Sequence, residues 1–101
     1  MFRSVPGGLA LQVENVIRQH QEKPIYPKLA KKVLLEGDVV VRYTIDEKGV
    51  PIGVQIISGH ELFREETLRA AKLWLFEPVK YEGKPVQATF ELVFRYMINR
   101  V

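Results

Sequence analysis

Few residues in this chain carry groups suited to bond chemistry, and their spacing does not bring them together. Histidine, the usual proton carrier near neutral pH, occurs only at His20 and His60. Neither has a Cys or a second His at metal-ligand spacing, so both are expected as surface residues and no metal is expected. Ser58-Gly59-His60-Glu61 offers a hydroxyl, an imidazole and a carboxylate, the groups of a nucleophilic triad. Adjacent residues rarely converge on one point, however, and the string reads better as a strand-to-helix turn. The glycines form no phosphate-cradling loop, and Glu65-Glu66 falls on the polar side of a helix. Without a constellation of the kind an active site needs, the expectation is a protein that is not an enzyme and uses no cofactor.

Composition narrows the remaining classes. A chain of 101 residues has room for one domain with one core, and 47% apolar with 27% charged residues fits an ordinary globular protein. The absence of Cys excludes a disulfide framework and any thiolate metal site. Fifteen basic against twelve acidic residues give a net charge of +3, a mild excess that favours an acidic peptide, a polyanion or a membrane surface. The basic residues are scattered, which reads as a solvated surface. A sheet that reads RNA stacks bases on outward aromatics. The outward positions expected here are Val40, Arg42, Thr44, Gln55, Ile57, Glu91, Val93 and Arg95, none of them aromatic, so nucleic acid is not an expected partner. No run approaches the ~18 apolar residues of a membrane span. No basic n-region opens the chain ahead of an apolar stretch, so it is expected to be soluble as given, with an anchored parent left open.

These side chains need elements to position them. Residues 1–8 contain Pro6, Gly7 and Gly8 and read as a tail or the end of a linker, with the domain running over 9–101. Leu9, Val13, Val16, Ile17 and His20 fall near helical spacing and predict a helix over 9–21. Lys23-Pro24-Ile25-Tyr26-Pro27 stops it, since each proline holds the preceding residue extended. A second helix is predicted over 27–34, with Pro27 in its first position and Gly37 as a left-handed cap. A strand follows over 38–46, with Val39, Val41, Tyr43 and Ile45 on one face. Gly49 turns the chain, and a returning edge strand covers 50–58 with Ile52, Val54 and Ile56 inward. A helix over 62–75 carries Phe63, Thr67, Ala70, Ala71 and Trp74 along one stripe and ends at Glu77-Pro78. The predicted fold is α+β: helix, helix, strand, strand, helix, strand. A right-handed crossover gives a three-stranded antiparallel sheet of order 2-1-3, with the helices on one face.

The last strand is the most informative element. Residues 86–98 alternate strictly, with Val86, Ala88, Phe90, Leu92, Phe94, Tyr96 and Ile98 on one face and Gln87, Thr89, Glu91, Val93, Arg95 and Met97 on the other. That is long for a strand, and it stands at a sheet edge. Such an edge offers unpaired N–H and C=O groups that an extended peptide can join.

The chain resembles the C-terminal domain of TonB-family energy transducers. The resemblance is carried by Pro24-Ile25-Tyr26-Pro27-Lys28-Leu29-Ala30, Glu36-Gly37-Asp38-Val39-Val40-Val41 and Asp46-Glu47-Lys48-Gly49-Val50. It continues through Leu68-Arg69-Ala70-Ala71-Lys72-Leu73-Trp74-Leu75-Phe76-Glu77-Pro78 and Gly83-Lys84-Pro85-Val86, and covers about residues 24–98. Five motifs in order at the right spacings make it specific. It implies a periplasmic domain of a protein anchored in the inner membrane and energised there by ExbB and ExbD through an N-terminal part. It implies capture of a short segment, the TonB box, of outer-membrane transporters for siderophore-iron or cobalamin uptake, by strand addition to the last strand. The residues expected to touch that segment are Gln87, Thr89, Glu91, Val93 and Arg95 along the strand, with Lys23 and Tyr26 before the helix. Some members carry Gln where this chain has Lys23, and there that Gln contacts the box. Leu73 and Leu75 replace the family's frequent Arg or Gln. They are open to burial under the 9–21 helix or to a partner or weak homodimer contact. The alternative function is an envelope interaction or sensor module of the same fold that transmits no force.

Overall fold

A computed structural model describes residues 3–5, 8–10 and 16–98. In chain order the elements are β1 (Arg3–Val5), β2 (Gly8–Ala10), β3 (Arg18–His20), α1 (Lys28–Lys32), β4 (Gly37–Ile45), β5 (Pro51–Ser58), α2 (Glu61–Ala71), β6 (Leu75–Phe76), β7 (Val79–Tyr81), β8 (Lys84–Val86) and β9 (Ala88–Tyr96). The fold is α+β. Its main sheet has the order β1-β2-β9-β4-β5, and two small ribbons, β3-β6 and β7-β8, flank it. The three long strands thus stand in the order expected, with the first long strand between the other two.

β4 and β9 form the spine, antiparallel from Gly37 opposite Tyr96 to Ile45 opposite Ala88. Both alternate in sequence, and both alternate in burial: Val39, Val41, Tyr43 and Ile45 face inward on β4, and Ala88, Phe90, Leu92, Phe94 and Tyr96 on β9. A period of two can bury one face and solvate the other only if the register holds. The solvated face supports that register with cross-strand pairs. Arg42 meets Glu91 at 2.8 Å, Arg95 meets Asp38 at 3.1 Å, and the hydroxyls of Thr44 and Thr89 lie 3.2 Å apart.

Helix α2 covers the inner face with Phe63, Thr67, Ala70 and Ala71 fully buried. The Tyr43 ring stacks on Phe90 with centroids 5.5 Å apart and meets the edge of Phe76 at 5.0 Å. Its hydroxyl donates to the Ala71 carbonyl at 2.8 Å, which satisfies a polar atom in the middle of the core. The β4–β5 turn needs Gly49 twice over. Its φ is +84°, and a Cβ there would lie 2.0 Å from the Phe76 carbonyl oxygen, because β6 packs directly on the turn.

Several expected elements differ, each because a long-range pairing prevails over the local pattern. The helix over 9–21 is not formed where the chain is described: Gly8–Ala10 and Arg18–His20 are strands, and residues 11–15 lie outside the described residues. Arg3–Val5, within the stretch read as a tail, pairs with β2. The α2 helix ends at Ala71 rather than Leu75, because Leu75 and Phe76 pair with β3. Trp74 therefore reaches the core from the turn after the helix, and Pro78 does not end the helix. The α1 helix spans five residues and closes with Leu34, not Gly37, in the left-handed region at φ 58°. The Leu34 amide donates to Lys31 and the Leu35 amide to Ala30, a Schellman closure, which leaves Gly37 free to open β4. The long strand over 86–98 is two strands. Lys84–Val86 turns back on β7 through Glu82 and Gly83, and β9 starts only at Ala88. On β5 the register skips between Thr44 opposite Gly53 and Ile45 opposite Pro51, so Ile52 is an extra residue in a bulge. It is 59% exposed rather than inward, while Val54 and Ile56 pack on the core.

Candidate functional site

The outer flank of β9 is the candidate site. On its inner side β9 is fully paired with β4, while on its outer side β2 meets only Ala88 and Thr89, in parallel. Among the described residues no strand pairs with the outer flank of 90–96. The opposite edge of the sheet is less suited to a guest. β5 begins with a proline and is interrupted at two register shifts, both devices that blunt an edge.

Four of the expected site residues share the solvated face of β9. Thr89 is half-buried beside Thr44, Glu91 is tied to Arg42, Val93 is 56% exposed, and Arg95 is tied to Asp38. Their polar groups thus lean across the sheet toward β4. The hydrogen bond that Arg95 donates to Asp38 holds its guanidinium above the ordinary pKa. Gln87 is half-buried at the junction between β8 and β9, off the regular ladder.

Lys23 and Tyr26 lie on the helix side, in the extended stretch over 21–27 that leads into α1. Two anchors bind this stretch to the β9 layer. The Trp74 indole N–H donates to the Glu22 carbonyl at 2.9 Å, and its ring lies against Phe94 with centroids 4.9 Å apart. Four residues on, Tyr26 sets the edge of its ring against Tyr96 at 5.5 Å and Phe63 at 5.9 Å, and its hydroxyl donates to the Leu35 carbonyl. Lys23 is exposed between these anchors. Tyr26 is therefore first a packing residue that aims the segment, and Lys23 and Ile25 face solvent between the two anchors.

A residue that the sequence reading set aside completes the arrangement. Glu66 on α2 accepts the Ile25 amide at 2.6 Å on one carboxylate oxygen, and Arg69 binds both oxygens at 2.7 and 2.8 Å. Arg69, and to a smaller extent the Ile25 amide, hold its carboxyl below the ordinary carboxylate range. The proline pair around Ile25 was a usable signal, since an extended stretch with a free amide needs an acceptor. The His20 and His60 expectations resolve structurally: His60 caps α2 by accepting the Leu62 amide at 3.0 Å, and His20 is exposed on β3. Leu73 and Leu75 stay 49% and 39% exposed, so neither is buried. Among the described residues no group of three or more His, Cys, Asp or Glu side chains is placed to hold a metal ion. No helix among them is long and apolar enough to cross a membrane. What the site can do chemically is offer backbone donors and acceptors, flanked by one aliphatic and several charged side chains.

Comparison with known proteins agrees with this architecture. The family described as Gram-negative bacterial TonB protein C-terminal matches residues 22–98. Protein TonB of Vibrio cholerae is 32% identical over 81 residues, covering 78% of this chain and 33% of that protein. Protein TonB of Pseudomonas aeruginosa is 28% identical over 100 residues, covering 94% of this chain and 29% of that protein. The chain spans about a third of the length of these curated relatives. The solution NMR structure of the Pseudomonas aeruginosa TonB CTD superposes with a TM-score of 0.71 at 26% identity, covering 93% of this chain and 97% of that one. With the family matched across β4, β5, β9 and both helices, this chain belongs to the TonB C-terminal domain family.

Proposed function

We propose that this domain is the capturing end of a TonB-like energy transducer. It takes the TonB box of an outer-membrane transporter as an added strand on the outer flank of β9. The parent protein, held in the inner membrane and driven through ExbB and ExbD, then pulls on the transporter so that a siderophore-iron complex or cobalamin enters. The observation that carries this reading is the asymmetry of β9, paired along its whole length with β4 but met by β2 at only two residues.

Magnitudes fit a grip that is made and released. A guest of about six residues gains four to six backbone bonds at roughly 0.5–1.5 kcal/mol each. Ordering it costs about 1–2 kcal/mol per residue. The two nearly cancel, so side chains decide the affinity. A strand beside β9 meets Glu91, Val93 and Arg95 on the solvated face, and its other face turns toward Lys23 and the Tyr26 ring. Gln87 and Thr89 stand at the start of the ladder.

Capture of a synthetic TonB-box peptide by the immobilised domain tests this placement. Lys23→Glu and Val93→Asp, both at exposed positions, are expected to lose most of the capture while the unfolding midpoint holds. Retention by both variants at the parent level places the site elsewhere.

A further inference from the structure

The strand that meets the start of the proposed docking edge belongs to the same chain. β2 lies parallel to β9, with Leu9 opposite Ala88 and Ala10 opposite Thr89. Among the described residues its far side pairs with β1 alone, with Arg3 opposite Ala10, Ser4 opposite Leu9 and Val5 opposite Gly8. The family model's match begins at residue 22, so this hairpin lies ahead of the part that the model covers. It takes up the very row of backbone groups that a guest strand entering at Ala88 would use. One N–H or C=O on that row cannot serve two strands at once. A hold of two registered pairs is also short, and short terminal strands sit at the low end of local opening free energies.

We propose that Gly8–Ala10 is a built-in competitor for the β9 edge, and that an incoming TonB-box strand displaces it together with β1. This inference rests on the reading of β9 as the docking edge. Two consequences follow from mass action. The apparent affinity for the guest is lowered by the fraction of molecules whose edge is covered. Capture in turn frees the residues ahead of the domain from the sheet, so the segment leading into it differs between the empty and the loaded state.

The absence of Cys from the chain allows a direct test. In the double variant Ala10→Cys with Thr89→Cys, the two positions are directly opposed, within the Cα–Cα range a disulfide spans. Oxidation then locks β2 onto β9, and reduction releases it in the same protein. The oxidised form is expected to bind a synthetic TonB-box peptide at least about tenfold more weakly than its reduced form. Leu9→Pro with Ala10→Pro removes two of the three β2 amides, one directed to each neighbouring strand, and is expected to bind about three- to tenfold more tightly than the parent. Equal affinity of the oxidised and reduced forms, with the peptide still perturbing the amide resonances of 90–96, overturns the competition and leaves the edge in place as the docking site. No peptide binding by the parent, the reduced form or the proline variant overturns both.

Discussion

The ring of Tyr96 lies flat on the ring of Phe63, with 4.2 Å between centroids and 4° between planes. Tyr96 closes β9 and Phe63 opens α2, so this stack fixes the far end of the edge strand to the helix layer. The Tyr96 hydroxyl lies 2.8 Å from Thr67 Oγ1, which also donates to the Phe63 carbonyl at 2.6 Å. Tyr26 then closes the group with its ring edge on both. The segment carrying Lys23 and the strand carrying Arg95 are thereby held in one rigid relation.

Tyr96→Phe keeps the stack and removes one buried hydrogen bond. The expected loss is about 0.5–1.5 kcal/mol of unfolding free energy, near the lower end because Thr67 keeps its bond to the Phe63 carbonyl. Urea unfolding of parent and variant measures it. A loss above about 3 kcal/mol would mean that the ring itself had moved.

Gly49 and Gly83 share a positive φ, +84° and +79°, but not their surroundings. At Gly83 a Cβ meets nothing within 4 Å, so Gly83→Ala carries only the left-handed backbone cost of about 1–2 kcal/mol. At Gly49 it adds a clash with the Phe76 carbonyl oxygen. Gly49→Ala is expected to lose clearly more than Gly83→Ala and to disturb the β6 amides. Equal losses would show that β6 does not press on the turn.

Glu66→Gln removes the charge that Arg69 and the Ile25 amide share. Hydrogen exchange at Ile25 is expected to speed up about tenfold or more, in line with roughly 1.5–3 kcal/mol for bonds to a charged group, with little change in the sheet. The folded carboxyl titrates below its ordinary value. Its stabilising contribution is therefore present above pH ~4.5 and lost as pH falls through the folded value. Glu66→Gln should flatten the acid side of the stability profile, and an unchanged acid limb would contradict the assignment.

Tyr43 and Tyr96 set the alkaline side. Burial raises both phenols above the ordinary 10.0, Tyr43 the more strongly despite the opposing charge of Arg18. Each group holds its proton more tightly when folded, so its contribution is complete below pH ~10 and is lost as pH rises toward the folded value. Unfolding midpoints should fall above pH ~10, and the fall should be shallower in Tyr43→Phe than in the parent, although that variant starts less stable without the bond to Ala71.

Legibility followed the range of the interactions. The alternation of Phe90, Leu92, Phe94 and Tyr96, and of Val39, Val41 and Tyr43, is a local pattern that one buried face enforces, so both long strands and their order were readable. The Gly49 turn was readable for the same reason. Leu73, Trp74 and Leu75 continue the helical spacing of α2, and only the pairing of Leu75 and Phe76 with residues more than fifty positions earlier ends the helix. Leu34 in a left-handed position likewise defeats a rule that favours glycine, because Leu35 gains the core. At the candidate site, the sequence indicated which residues share the outer face. It did not indicate that Arg95 and Glu91 are tied to β4, nor that Glu66 holds the Lys23 segment, since both depend on packing across the sheet and the helix layer.

The decisive observation is hydrogen exchange of the domain with and without a synthetic TonB-box peptide, read amide by amide. Strand addition to β9 predicts new protection at alternate residues of 90–96, with β5 unchanged. Protection that rises along Pro51–Ser58 instead, or nowhere in the sheet while the peptide is bound, would contradict it.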